Sequence, residues 1–468
     1  MEKGYKVAFN KKFWFLYFLM LVLELIIAGS ILSRFGFIPS QGGDSLGYMS
    51  LAKNLIEHGV FSFADNTPFI PTNFRTPGYP LFLAIIYFIF HSFLPAMFLG
   101  AIVAAFAAPL VYLIGREIFS ETIAFWSGFL IAIEPTGLFL GVSILTEGIF
   151  TPVLLLSVYF FIKYLKTAQT RQLHWFSVLL GLAILIRPIL FYFWPIVIPF
   201  IFYREKDFSW RLSLRKIFIS GTILVLILSP WLIRNKIVMN SWQVAGLQGY
   251  VFFIDHYGAV LRYLGQANTL GDIQNRALAL VGPDKIFTPE GSDILFRTAL
   301  REIKSHKLAY LNIYSKSLIP FFLSNGYRSF FIDTLGVPAK TPFVPFELFL
   351  RFNFKSILET LNGVDFLGIL IYCGGKILWV IISIVFLASL ILLIFKKEYK
   401  SLRTEITFLA VVIFYFALIV GPTAIGGSRT RAPIDGLIFI FFVFGIFQIF
   451  YFGRKKWHKI TIPFSKLF

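Results

Sequence analysis

The sequence predicts an all-α polytopic membrane protein of about ten spanning helices. Three observations carry this. Of its 468 residues 57% are hydrophobic and only 14% charged, where a soluble chain carries about a quarter charged. The mean hydropathy is +0.77. Apolar runs long enough to cross a hydrocarbon core recur along the chain.

The first run, residues 13–33, follows Lys11 and Lys12. It exceeds the apolar region of a cleavable leader, and no small-residue cleavage site follows, so it reads as an uncleaved span. Lys3, Lys6, Lys11 and Lys12 hold the N-terminus inside, because cytoplasmic segments concentrate Lys and Arg. The later basic connections are Arg116, Lys163 to Arg171, Arg204 to Lys216, Lys396 to Arg403 and Arg454 to Lys459. They must return to the same side, which fixes the parity of crossings. The run at 79–90 is about a dozen residues, too short for a core of about 30 Å at about 1.5 Å per residue. It is therefore expected to be interfacial or re-entrant. Spans are expected at 97–115, 122–139, 147–165, 174–188, 189–203, 216–232, 367–395, 405–421 and 433–452.

This parity places residues 34–96, 140–146, 187–190, 233–366 and 422–432 on the outer side. Stretches 295–323 and 341–354 mix apolar and basic residues, the pattern of amphipathic surface helices. Trp126, Trp175, Trp194 and Trp231 fall where interfacial aromatic belts are expected. Three regions result: residues 1–240 with the first outer loop 34–96, an outer loop at 241–366, and C-terminal spans at 367–468. The net charge of +19 sits in short segments between spans rather than in one patch, so no nucleic acid partner is expected. A lone cysteine, Cys373, excludes an intrachain disulfide and a cysteine metal cluster. The six histidines show no ligand spacing. Phosphate-loop, zinc-protease and nucleophile-elbow motifs are missing.

Charges on the outer side are the informative residues. Asp44 opens a surface helix whose Tyr48, Leu51, Ala52, Leu55 and Ile56 recur at helical spacing, and it can cap that helix. Arg75 stands before Thr-Pro-Gly-Tyr-Pro, where Pro77 and Pro80 fix the backbone and Gly78 permits close approach. Glu134 and Glu147 flank the next outer turn; a carboxylate at helical depth points to a cavity, an ion or a partner. Glu147 can also be a simple helix cap, and Glu134 can pair with an arginine. Arg187, Arg234, Arg429 and Arg431 lie outside against the charge rule. Each alone can snorkel, but together their planar donors match phosphate.

In order along the chain, Asp44 with Tyr48, RTPGYP, Thr146-Glu147, GLAILIRP, PWLIRN and RTRAP resemble the GT-C superfamily of polyprenyl-phosphate-dependent glycosyltransferases. The likeness is to its family-39-like members, the protein O-mannosyltransferases and lipid A aminoarabinose transferases. The resemblance covers residues 10–240 well and the remainder loosely. It implies a multi-pass plasma (inner) membrane enzyme whose site faces outside, moving a lipid-linked sugar onto a lipid, glycan or protein acceptor with inversion. Carried over, Asp44 becomes the essential carboxylate, acting as base or metal ligand, and Glu147 the second acidic position. Arg75, Arg187, Arg234, Arg429 and Arg431, with Tyr48, become substrate-binding candidates. Many relatives carry paired acidic residues, whereas here Ser45 follows Asp44, so a divalent cation at Asp44 is left open. A flippase of lipid-linked sugars would predict inverted repeats and midplane charges. A polysaccharide polymerase or ligase would concentrate arginines in one late loop. Neither pattern is seen.

Overall fold

The computed structural model describes residues 10–37, 43–205, 210–341, 355, 359–360, 362–421 and 427–453. Among them every regular element is helical. Helix α1 (Lys11–Phe35) starts at Asn10, whose side chain accepts from the Phe13 amide at 3.0 Å. It is followed by α2 (Gly43–His58), α3 (Gly78–Phe90), and a long helix α4 (Leu94–Ile118) that is re-nucleated near Phe106. Next come α5 (Glu121–Ala132) and α6 (Pro135–Val142), bent by 57° where Pro135 interrupts the run. Then follow α7 (Glu147–Thr167), α8 (Thr170–Ile186), α9 (Trp194–Arg204) and α10 (Trp210–Met239).

Among the described residues seven helices are long and apolar enough to span a membrane, and the bent α5–α6 pair makes an eighth. Helices α8 and α9, 17 and 11 residues long, occupy the two remaining expected spans but fall below spanning length. The 13-residue α3 is short, as expected from its apolar run. The central spans α4 and α7 are 72% buried over their apolar windows, whereas α10 is only 28% buried. Its outward face, including Phe218, Val225 and Leu226, is left to lipid. Small residues let the central helices approach closely. A Cβ on Gly128 would sit 2.9 Å from the Ala108 carbonyl oxygen.

After α10 the chain forms a helical cap: α11 (Leu247–Val251), a π-helical turn Phe252–Tyr257, α12 (Gly258–Tyr263), α13 (Leu270–Val281) and α14 (Pro289–Ser305). Phe253, Ile273, Ala277 and Leu295 give this cap a core separate from that of the bundle. The amphipathic helix expected at 295–323 is two helices, α14 and α15 (Lys307–Leu323), broken at His306. The stretch expected at 341–354 lies almost entirely outside the described residues. The bundle is completed by α16 (Phe366–Phe395), α17 (Arg403–Val420) and α18 (Gly427–Gly453). The last begins six residues earlier than the expected span. Trp126 and Trp175 are exposed as belt residues should be, but Trp231 is buried and its indole N–H donates to the Val244 carbonyl.

Candidate active site

Two carboxylates and three guanidiniums meet at one end of the bundle. Asp44 stands in the first turn of α2, and Tyr48, one helical turn on, packs edge-to-face on Tyr79 at 5.1 Å. Arg75 arrives on the stretch Thr72–Thr76, whose backbone and side chains are pinned from several sides. Thr76 donates to the Ile186 carbonyl, Thr72 to that of Phe287, and the Gly246 and Leu247 amides donate to the carbonyls of Asn73 and Phe74. Gly78 then lets α3 touch the end of α8, since a Cβ there would lie 2.7 Å from the Leu185 carbonyl oxygen. So held, Arg75 lies over the Tyr48 ring and its Nη2 donates to Asp44 Oδ1 at 2.5 Å.

Glu147 is the first residue of α7, and its side chain is 1% exposed. Its Oε1 accepts from Arg187 Nη1 and from Arg429 Nε, both at 2.6 Å, and Thr146 donates to its Oε2 at 3.1 Å. Arg187 ends α8 in extended backbone, turned back over the Phe150 ring. Arg429 sits in the first turn of α18, and its Nη1 donates to Asp44 Oδ2 at 2.7 Å. The guanidinium of Arg429 thus bridges both carboxylates. One positive charge remains in excess. Burial pushes the Asp44 carboxyl up, but the Arg75 and Arg429 guanidiniums outweigh it and hold the group below the ordinary carboxylate range.

These side chains border a cavity of about 590 Å³. Asp44, Tyr48, Arg75, Arg187 and Arg429 form its charged wall, and Ile189, Tyr192, Ile419 and Val420 give it an apolar flank on the bundle side. Further lining comes from the segment after α10 and from the cap, and includes Gln243, Gln248, Asp255, His256 and Asp293. Sequence reasoning assigned no role to these five, because IDHY matches no motif and the cap's fold is not visible in residue periodicity. Burial lifts Asp255 to about 6, the Arg262 guanidinium only partly opposing it. Burial also lowers His256 to about 4, keeping the imidazole neutral. Its Nδ1 shares a hydrogen bond with the Tyr310 hydroxyl at 2.8 Å.

Three sequence candidates are placed elsewhere. Arg234 does not line the cavity. It lies over Trp231 and donates to the Thr72 carbonyl at 2.9 Å and to Asn235 at 3.0 Å, so it braces the Arg75 stretch from behind. Arg431 is wholly buried between Asp435 (2.7 Å) and the Phe321 and Phe322 carbonyls (2.8 Å each), over the Trp379 ring. Two residues beyond Arg429 on one helix, it points to another face. Glu134 caps α6 by accepting from the Gly137 amide at 2.7 Å, and among the described residues no arginine forms a salt bridge with it, Arg431 acting on it only from a distance. The donor set does not fit a divalent cation. The position between Asp44 and Glu147 is filled by Arg429, and among the described residues no three His, Cys, Asp or Glu side chains gather as ligands.

Residues 74–233 match the protein family described as dolichyl-phosphate-mannose-protein mannosyltransferase. Among solved structures, the fold is similar to the oligosaccharyltransferase of Archaeoglobus fulgidus in its apo form. Identity is 16%, 94% of this chain and 51% of that chain are covered, and the TM-score is 0.51. The same archaeal protein tethered to an acceptor peptide containing the NVT sequon gives 16% identity, 95% and 50% coverage and a TM-score of 0.50. ArnT from Cupriavidus metallidurans bound to undecaprenyl phosphate gives 12% identity, 94% and 78% coverage and a TM-score of 0.39. No match was found among curated proteins. The chain spans about half the length of the archaeal oligosaccharyltransferase. The matched segment agrees with the likeness to protein O-mannosyltransferases read from the motif order, and the archaeal structure shares the helical fold.

Proposed function

We propose that the protein moves a sugar from a polyprenyl-phosphate-linked donor to an acceptor on the non-cytoplasmic face of the membrane, inverting the anomeric centre. One observation carries this reading: a cavity with an apolar flank toward the bundle and three guanidiniums, Arg75, Arg187 and Arg429, on its rim. An isoprenoid tail suits the flank formed by Ile189, Tyr192, Ile419 and Val420. A phosphate suits planar donors that already stand in carboxylate-binding geometry. The family match over residues 74–233 supports the same donor class.

When the bond between the sugar's C1 and the phosphate oxygen breaks, the electron pair leaves with the lipid phosphate. Negative charge therefore grows where the three arginines point, and fixed donors there stabilise the transition state. Positive charge grows at C1. Asp44, with both oxygens engaged by guanidiniums and held in its ionised form, is suited to face that charge. Glu147 keeps Arg187 and Arg429 aimed. Basic residues at the other end of the bundle, including Lys12, Lys163, Lys166 and Arg171, support a cytoplasmic placement of that end. With that end in the cytoplasm the cavity would face outward, which suits a lipid-linked rather than a nucleotide-linked sugar.

The test is mass spectrometry of lipid-linked sugars and surface glycans in cells with the wild-type gene, with Asp44→Asn, and without the gene. The expected result is accumulation of one lipid-linked sugar and loss of one glycan in the last two. Unchanged sugar transfer by a folded Asp44→Asn protein would falsify the assignment.

A further inference from the structure

A second cavity, of about 810 Å³, extends to the end of the bundle opposite the charged site. On α7 its lining includes Val153, Leu156, Phe160 and Lys163, one stripe at helical spacing. Ten residue steps make this stripe about 15 Å long. That is the depth of one leaflet of a hydrocarbon core of about 30 Å. Phe106 and Leu110 of α4 and Phe13 of α1 add to the apolar lining. Lys163 stands sixteen residues after Glu147 on the same helix, so about 24 Å separates the basic end of this cavity from the charged site.

Lys163 lies over the Tyr159 ring, Nζ 5.2 Å from its centroid, and Arg171 of α8 lines the same end. Neighbouring bases are matched by acids, Lys12 with Glu121 at 3.1 Å and Lys166 with Glu117 at 3.2 Å. Among the described residues no carboxylate pairs with Arg171. Gln172 lines the cavity as well. It donates from Nε2 to Gln169 Oε1 at 3.3 Å, but its own Oε1 is buried and receives no hydrogen bond among the described residues. Trp175, exposed on the next turn of α8, marks the level of the headgroup boundary.

We propose that this cavity binds an anionic glycerophospholipid of the adjoining leaflet. The phosphate lies between Lys163 and Arg171, a headgroup hydroxyl donates to Gln172, and one acyl chain follows the stripe on α7. Basic pockets between spanning helices on the cytoplasmic side bind anionic headgroups, and the bases at this end support that placement. A water-soluble anion would leave the apolar length unfilled. A neutral lipid would leave Arg171 without a counter-charge. The open acceptor on Gln172 calls for a hydroxyl donor, which a glycerol headgroup supplies and a bare lipid phosphate lacks. The lipid is structural, filling the space between α4 and α7, and does not depend on the sugar-transfer reading.

The experiment uses the purified full-length protein in detergent. Native mass spectrometry reads which lipids stay bound, and thermal unfolding reads binding of added phosphatidylglycerol or phosphatidylcholine with the same acyl chains. A glycerophospholipid is expected to co-purify. Phosphatidylglycerol should bind about 25-fold more tightly than phosphatidylcholine, the worth of two basic groups near a headgroup. Arg171→Gln, at an exposed side chain, should weaken phosphatidylglycerol about fivefold, and Lys163→Gln added to it about 25-fold, with phosphatidylcholine unchanged. Leu156→Trp, which fills the stripe, should weaken both. Equal binding of the two lipids, or a preference that survives both basic substitutions, would overturn the proposal. So would a polyprenyl phosphate retained in place of a glycerophospholipid, or no retained lipid at all. If the double variant does not fold, Arg171→Gln alone decides, since an unchanged affinity for phosphatidylglycerol would overturn the proposal.

Discussion

Arg429 Nε donates to Glu147 Oε1 at 2.6 Å although 282 residues separate the two in the chain. The other end of the same guanidinium reaches Asp44, so one side chain from the last described helix joins the two acidic positions of the N-terminal half. This tie governs how the site responds to substitution.

Replacing Arg429 by Met removes both contacts but leaves each carboxylate an arginine partner, Arg75 on Asp44 and Arg187 on Glu147. The protein should fold. Sugar transfer should fall about 100-fold or more, as loss of one transition-state donor does, and a polyprenyl phosphate should bind more weakly. Turnover in membrane vesicles and thermal stability in detergent check the two halves of this expectation.

Glu147→Gln leaves Arg187 and Arg429 facing each other across a buried position. Removing one partner from a buried ion network is destabilising by about 3–5 kcal/mol. Thermal unfolding in detergent should show a clear drop. An added polyprenyl phosphate should restore more stability to this variant than to wild type, because a phosphate replaces the missing negative charge.

Arg234 and Arg431 should behave unlike Arg429. Arg431→Met unpairs the buried Asp435 and two carbonyls and should destabilise by about 3–5 kcal/mol. Arg234→Lys should loosen the Thr72–Thr76 stretch, lowering stability and raising KM with little change in kcat. Steady-state kinetics separate these outcomes from a loss of chemistry.

Gly78→Ala forces a methyl group against the Leu185 carbonyl. Overpacking of this kind is destabilising by about 1–3 kcal/mol. Because Arg75 and Arg187 flank that contact, substrate affinity should drop as well, read as a raised KM.

Stability in the cap should depend on pH through two groups of opposite sign. Asp255 is raised to about 6 when folded, against an ordinary value of about 3.9. Its contribution is complete below the unfolded value and is lost as pH rises through about 6. His256 is lowered to about 4, against an ordinary value of about 6.5. Its contribution is present above that ordinary value and is lost as pH falls toward 4. Asp255→Asn should therefore raise the melting temperature at pH 8 and leave it nearly unchanged at pH 4.5. His256→Gln should flatten the loss below pH 6.5. Melting curves across pH for the three proteins check both signs.

The membrane class, most spans and three arginines of the site were legible because each is written locally: apolar runs, the short run at 79–90, and charges stranded between them. Arg429 and Arg431 could not be told apart from sequence, since the expected span began at residue 433 and left both in a loop. Once α18 is seen to begin at Gly427, residues two apart must diverge by about half a turn, and one faces the cavity while the other faces α15. Arg234 misled for a different reason: its partners Thr72 and Asn235 become visible only when α10 is laid beside the first loop. Asp255 carried no signal.

The bridge made by Arg429 also imposes an order on biosynthesis. Asp44 leaves the ribosome nearly four hundred residues before its second counter-charge does, and Glu147 nearly three hundred. A nascent chain therefore holds an incomplete active centre through almost the whole of its insertion. Only when the last described helix docks do the two acidic positions become joined, so the charged site is assembled late.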